Sequence, residues 1–182
     1  IYMQVGEKEK AKEAFEEMMK IPYNRHDSMA DCNACVRNQE VEYYIFAKEY
    51  QKALDHAKPL FSGWLSCAEV PAVTYANLYL PLIEMGKNDF ALELFYKTDF
   101  NKKDIENYSS AIVLLCILGD LSKALYILEK QFPYVINNFN EQEVMSFYNS
   151  CAFLFKEIGK DKQTIKLKAP KEFELYTDSN EY

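Results

Sequence analysis

The chain has 182 residues, 49% of them hydrophobic, with 12 Phe and 14 Tyr, so it can build a packed core and is not generally disordered. It carries 28 acidic and 21 basic side chains, a net charge of −7, which argues against binding nucleic acid or an anionic membrane surface. No run of about 18 uncharged apolar residues occurs, so a membrane span is not expected.

The chain opens IYMQVG, with neither an initiator Met nor a signal peptide. We therefore expect it to start inside a longer protein. The five cysteines are an odd number, and two of them, Cys116 and Cys151, lie in apolar runs typical of a core. A secreted disulfide framework is denser and even-numbered, so we expect a reducing, cytoplasmic location.

Five positions along the chain share one pattern, in which a turn is followed five residues later by a new helical run. The turn residues are Gly6, Lys48, Gly86, Gly119 and Gly159, spaced 42, 38, 33 and 40 residues apart. Helical periodicity precedes each turn as well, and glycine typically ends a helix in the left-handed conformation. A period of this length, built from two helices, is typical of an α-solenoid.

These residues resemble the tetratricopeptide repeat (TPR), a helix–turn–helix unit. The small residue of the family's second helix matches Ala11, Ala53, Ala91 and Ala124, and its first-helix aromatic matches Tyr75, Tyr108 and Tyr148. The resemblance implies an all-α, right-handed α-solenoid of four to five hairpins over residues 1–167, lacking its N-terminal start. Residues 168–182 are predicted to be a C-terminal extension. The spacing departs from the family's 34 residues, and a generic helical-hairpin solenoid is the alternative.

The resemblance also implies a concave face, formed by the first helices, that binds a protein or peptide ligand. Its candidate residues are Asn38, Glu42, Phe46, Leu80, Ile83, Ser109, Val113, Asn149 and Phe153. The alternative is that many of these side chains contact neighbouring helices. Cys116 falls both on this face and in the core pattern, and we favour the core.

The sharpest chemical pattern is Cys32-Asn-Ala-Cys35, followed by Cys67. CxxC is the spacing with which a helix start presents two thiolates to one tetrahedral metal. Because equivalent helices of a solenoid run parallel, the three sulfurs are predicted to share one edge, with His26 as a candidate fourth ligand. Asp31 is predicted to be an N-cap instead. One structural zinc, a redox-active thiol pair and inert thiols all remain open.

No catalytic pattern is present. The chain has two histidines, and His56 is predicted on a solvated or inter-helix face; no GxSxG or HExxH occurs. The function expected from sequence is thus a non-catalytic, cytoplasmic module of a bacterial regulator that binds a protein or peptide. A zinc- or redox-responsive scaffold is the alternative. A homodimer is compatible with the sequence, which does not fix the oligomeric state.

Overall fold

The computed structural model describes residues 1–21, 31–98, 100, 105–161 and 164–182. This part of the chain is all-α and contains eight helices, each packed against a neighbour, as in a helical repeat. They are α1 (Lys8–Lys20), α2 (Asn33–Phe46), α3 (Tyr50–Phe61), α4 (Ala72–Glu84), α5 (Asn88–Lys97), α6 (Ile105–Ile117), α7 (Leu121–Val135) and α8 (Glu141–Ile158).

The predicted turns join consecutive helices into antiparallel hairpins: α2 with α3, α4 with α5, and α6 with α7. The turn residues Lys48, Gly86 and Gly119 have φ of 59°, 70° and 82°, and Gly6, ahead of α1, has φ of 74°. After each, the next amide donates to the carbonyl five residues earlier, at 2.8–3.0 Å, the 6→1 bond of a Schellman cap. The predicted equivalence of these four positions is confirmed, with Lys48 in the glycine's conformation.

The small residues that follow the turns are all buried, and three of them lie on the second helix of a hairpin. Ala53, Ala91 and Ala124 are fully buried, and Ala11 is almost so. An alanine lets two helix backbones approach closely, because a larger side chain at the same place would have to displace close-packed neighbours. The pattern Gly-x4-Ala thus specifies both the turn and the helix contact that follows it.

The chain divides into two compact units, Ile1–Thr98 and Asp99–Tyr182. In the first unit α2 also packs on α4 and on α1, and α3 on α4. In the second, α8 packs against both α6 and α7, with Phe147 fully buried beside Phe132.

The fifth copy of the pattern differs from the sequence expectation. Gly159 has φ of −65°, without the left-handed cap, and the helical run expected from Thr164 does not form. Residues 164–182 instead fold back on themselves, and Ile165 and Tyr182 exchange two backbone hydrogen bonds at 3.0 Å. The reason lies in the sequence, because Ile165 and Leu167 alternate with polar residues, a two-residue period that suits an extended chain. Leu167 is buried within this second unit.

None of the helices in the described part of the chain is both long and apolar enough to cross a membrane.

Candidate metal centre

The start of α2 presents two of the cysteines. Cys32 is the N-cap residue, and its sulfur accepts a hydrogen bond from the Cys35 amide at 3.4 Å. The prediction that Asp31 caps this helix is wrong: its carboxylate accepts from the Gln39 side chain at 2.7 Å. A cysteine N-cap places its sulfur directly over the first turn, where the i+3 spacing also brings the sulfur of Cys35.

The third cysteine lies in the loop between α3 and α4, residues 62–71, hereafter the α3–α4 loop. The Cys67 amide donates to the carbonyl of Val70 at 2.9 Å, and the Val70 amide lies 3.4 Å from the Cys67 sulfur. Val70 is buried in a small apolar cluster with Ala34 and Leu60, against which Cys35 and Leu65 also pack. This cluster holds the loop against the start of α2.

The three sulfurs meet at this point. The Sγ atoms of Cys32 and Cys35 are 3.2 Å apart, those of Cys35 and Cys67 are 3.6 Å apart, and all three lie within 4.8 Å of one another. Cys32 and Cys67 are exposed and Cys35 is half-buried. The three sulfurs that the sequence predicted at one edge do lie together, with Cys67 in the loop five residues before α4.

The surroundings affect the thiols differently. The pKa of Cys32 is lowered from its ordinary value, chiefly because the backbone amide of Cys35 donates to its sulfur. The pKa of Cys35 is raised to about 12, first because the thiol is buried and then because the two neighbouring sulfurs disfavour a further negative charge. Three thiolates packed this closely repel one another, and a divalent cation between them would remove that repulsion.

The donor set and its spacing fit zinc. A Zn–S bond of about 2.3 Å in a tetrahedron places two sulfurs about 3.8 Å apart, close to the separations that link Cys35 to the other two cysteines. Soft thiolates favour Zn²⁺ or Cu⁺ over Mg²⁺ or Ca²⁺. Among the described residues the group holds three ligands. His26, the predicted fourth, lies outside the described residues.

The other two cysteines are in the core, as predicted. Cys116 and Cys151 are buried and free. Burial raises the pKa of Cys116 to about 11 and that of Cys151 to about 12, so both remain protonated thiols at neutral pH.

The predicted ligand-face residues of the first unit have mixed environments. Asn38 is buried and accepts a hydrogen bond from the Thr74 hydroxyl at 2.6 Å, while its amide donates to Glu42 at 2.7 Å. Glu42 also accepts from Asn77 at 3.1 Å, so these polar groups link α2 to α4. The apolar members are more open: Phe46 and Ile83 are half-buried, and Leu80 is 41% exposed.

In the second unit, Ser109 is buried and its hydroxyl donates to the Ile105 carbonyl at 2.8 Å. Val113 and Phe153 are half-buried, and Asn149 is exposed. Ser109 therefore supports its own helix, whereas Asn149 is open to solvent.

One buried charged group was missed from sequence. Glu40 is 1% exposed, accepts from the Arg37 guanidinium at 2.6 Å, and lies 2.7 Å from Nδ1 of His56. This places His56 at the interface of α2 and α3, within the prediction of an inter-helix face. The i,i+3 spacing of Arg37 and Glu40 indicates the ion pair, but nothing local indicates that α3 would cover it.

Neither a protein-family model nor a curated protein matches this chain.

Proposed function

We propose that this chain is a non-catalytic, TPR-like scaffold of helical hairpins in which one zinc ion, held by Cys32, Cys35 and Cys67, fixes one hairpin to the next. The observation that carries the proposal is the meeting of three sulfurs, within 4.8 Å of one another, from two segments more than thirty residues apart in sequence. Cysteines with only a packing role are commonly buried in the core, as Cys116 and Cys151 are. Cys32 and Cys67 are instead exposed.

The metal has a mechanical task at this place. The α3–α4 loop is held to α2 by a small apolar cluster of three buried residues, Ala34, Leu60 and Val70. A zinc ion would add bonds between the loop and the helix start, and its binding free energy would contribute directly to folding of this joint. It would thereby fix the position of α4, which begins at Ala72, five residues after Cys67.

The test is zinc content and stability measured together, on protein purified without chelator and without a His tag. We expect about one zinc per chain by elemental analysis. At free zinc about 100-fold above its Kd, the protein should gain about 2.7 kcal/mol over the metal-free form in urea unfolding. The single tryptophan, Trp64, is 80% exposed three residues before Cys67 and supplies a fluorescence signal for the titration.

Two variants separate the site from the loop. Cys67→Ser should weaken zinc binding by more than about 100-fold, because loss of an outer-shell partner alone costs 10- to 100-fold in metal sites. Ser66 is exposed and directly precedes Cys67. The control variant Ser66→Ala should therefore bind zinc like the parent protein. Zinc near zero, or zinc retained in full by Cys67→Ser, would overturn the metal assignment.

For the scaffold role, we propose that the ligand is a protein or peptide bound along α2 and α4. Support comes from Leu80, 41% exposed on α4, and from the half-buried Phe46 and Ile83. A photo-crosslinking residue at position 80 should capture a specific partner. The same residue at Tyr96, which is 64% exposed on α5, serves as the control. Equal capture at both positions would contradict a ligand face on α4.

A further inference from the structure

We propose that Cys32 and Cys35 form a reversible disulfide when a peroxide oxidises the site, which releases the metal and removes the link that it makes between the α3–α4 loop and α2. The release of zinc rests on the proposed function, whereas the choice of the disulfide partners rests on geometry alone and can be tested without metal. The site would then act as a peroxide-sensitive joint between two hairpins.

The distances select this pair among the three thiols. A disulfide bond is about 2.05 Å long, so the Cys32 and Cys35 sulfurs, 3.2 Å apart, need to approach by about 1 Å. Both belong to the first turn of α2, and the bond can close without moving a second segment. Cys35 and Cys67 start at 3.6 Å and would have to draw the loop and the helix start together.

Exposure decides which sulfur of this pair reacts first. Cys32 is exposed at the N-cap, open to a small oxidant, while Cys35 is half-buried. Cys67 is exposed as well, but it lies on the α3–α4 loop, outside the pair that the first turn of α2 brings together. This is the arrangement of an attacked cysteine with an adjacent resolving cysteine. Cys116 and Cys151 are only 6% and 7% exposed, so they do not compete for the oxidant.

The reaction balances with hydrogen peroxide as the oxidant. The Cys32 thiolate attacks one peroxide oxygen, the O–O bond breaks, and a sulfenic acid forms as hydroxide leaves. The Cys35 sulfur then attacks the sulfenic sulfur, the S–S bond forms, and the second oxygen leaves as hydroxide. The two sulfurs lose two electrons, the peroxide gains them, and two protons from solvent complete two water molecules. A zinc ion held by the three cysteines would lose two of its three thiolate ligands in this reaction and would be released as Zn²⁺.

The experiment oxidises zinc-loaded protein and chelator-stripped protein with one equivalent of hydrogen peroxide. Differential alkylation with mass spectrometry identifies the paired cysteines, and a metallochromic dye measures free zinc. In the loaded protein we expect loss of two thiols, a Cys32–Cys35 disulfide, and release of about one zinc per chain. Dithiothreitol with added zinc should restore the starting state.

Variants and the stripped protein keep the two proposals distinguishable. Cys67→Ser should still form the disulfide, whereas Cys32→Ser should lose no thiol pair. If the protein binds no zinc but the stripped form makes the Cys32–Cys35 disulfide, the metal assignment fails and the thiol pairing stands. A disulfide that includes Cys67, a sulfinic acid on Cys32 with Cys35 still free, or zinc retained after oxidation would overturn the inference.

Discussion

Lys48 occupies a left-handed turn position that glycine fills in three other copies of the pattern, at Gly6, Gly86 and Gly119. Its replacement by glycine should stabilise the protein. Its φ of 59° lies in the left-handed region, which costs an L-residue about 1–2 kcal/mol. Glycine removes that cost but loses about 0.5–1 kcal/mol more conformational entropy on folding. We therefore expect Lys48→Gly to raise the free energy of unfolding by about 0.5–1 kcal/mol.

The assay is urea unfolding followed by circular dichroism, with two comparison variants. Lys48→Ala removes the same exposed side chain but keeps the strained backbone, so it should bring no gain. Gly86→Lys is the reverse change: φ is 70° and an added Cβ meets nothing within 4 Å. The conformational cost then acts alone and should lower stability by about 0.5–1 kcal/mol. Equal stability of Lys48→Gly and Lys48→Ala would refute the equivalence of these turns.

Three further outcomes test particular contacts. Glu40→Ala should destabilise the first unit by about 2 kcal/mol in urea unfolding, since the half-buried Arg37 and His56 side chains lose the carboxylate that they contact. In a double-mutant cycle with His56→Ala, additive losses would contradict direct coupling. Thr74→Val should lower the free energy of unfolding by about 1–2 kcal/mol, because the buried side-chain oxygen of Asn38 loses its hydrogen-bond donor. Thr74→Ser keeps a hydroxyl and should lower it less. His26→Ala should weaken zinc binding more than about 10-fold in a competitive chelator titration; unchanged affinity would exclude His26 as the fourth ligand.

Much of the fold could be predicted because its signals are local. A left-handed turn residue and an alanine five positions later fix the end of one helix and its contact with the next. That rule applies equally to Lys48, where composition alone would miss the turn. It fails after Gly159, because the residues beyond Thr164 alternate in polarity and the chain turns back on itself.

The cysteine cluster was predicted by related reasoning, in which the equivalent helices of a solenoid begin at one edge. What local spacing could not supply is the choice among neighbouring groups. Asp31 and Cys32 are both able to cap a helix. The structure has Cys32 as the N-cap, with its sulfur accepting a hydrogen bond from the Cys35 amide. The burial of Asn38 and Glu40 likewise depends on α4 and α3, which lie far along the chain.

The coordination shell of the bound metal tests the account most directly. X-ray absorption at the zinc edge, on protein reconstituted with one equivalent of zinc, should give about three sulfur neighbours at about 2.3 Å and one lighter neighbour near 2.0 Å. The sulfur count should fall to about two in Cys67→Ser loaded at high zinc. A shell made only of nitrogen and oxygen, or an unchanged sulfur count in that variant, would contradict a zinc ion held by Cys32, Cys35 and Cys67.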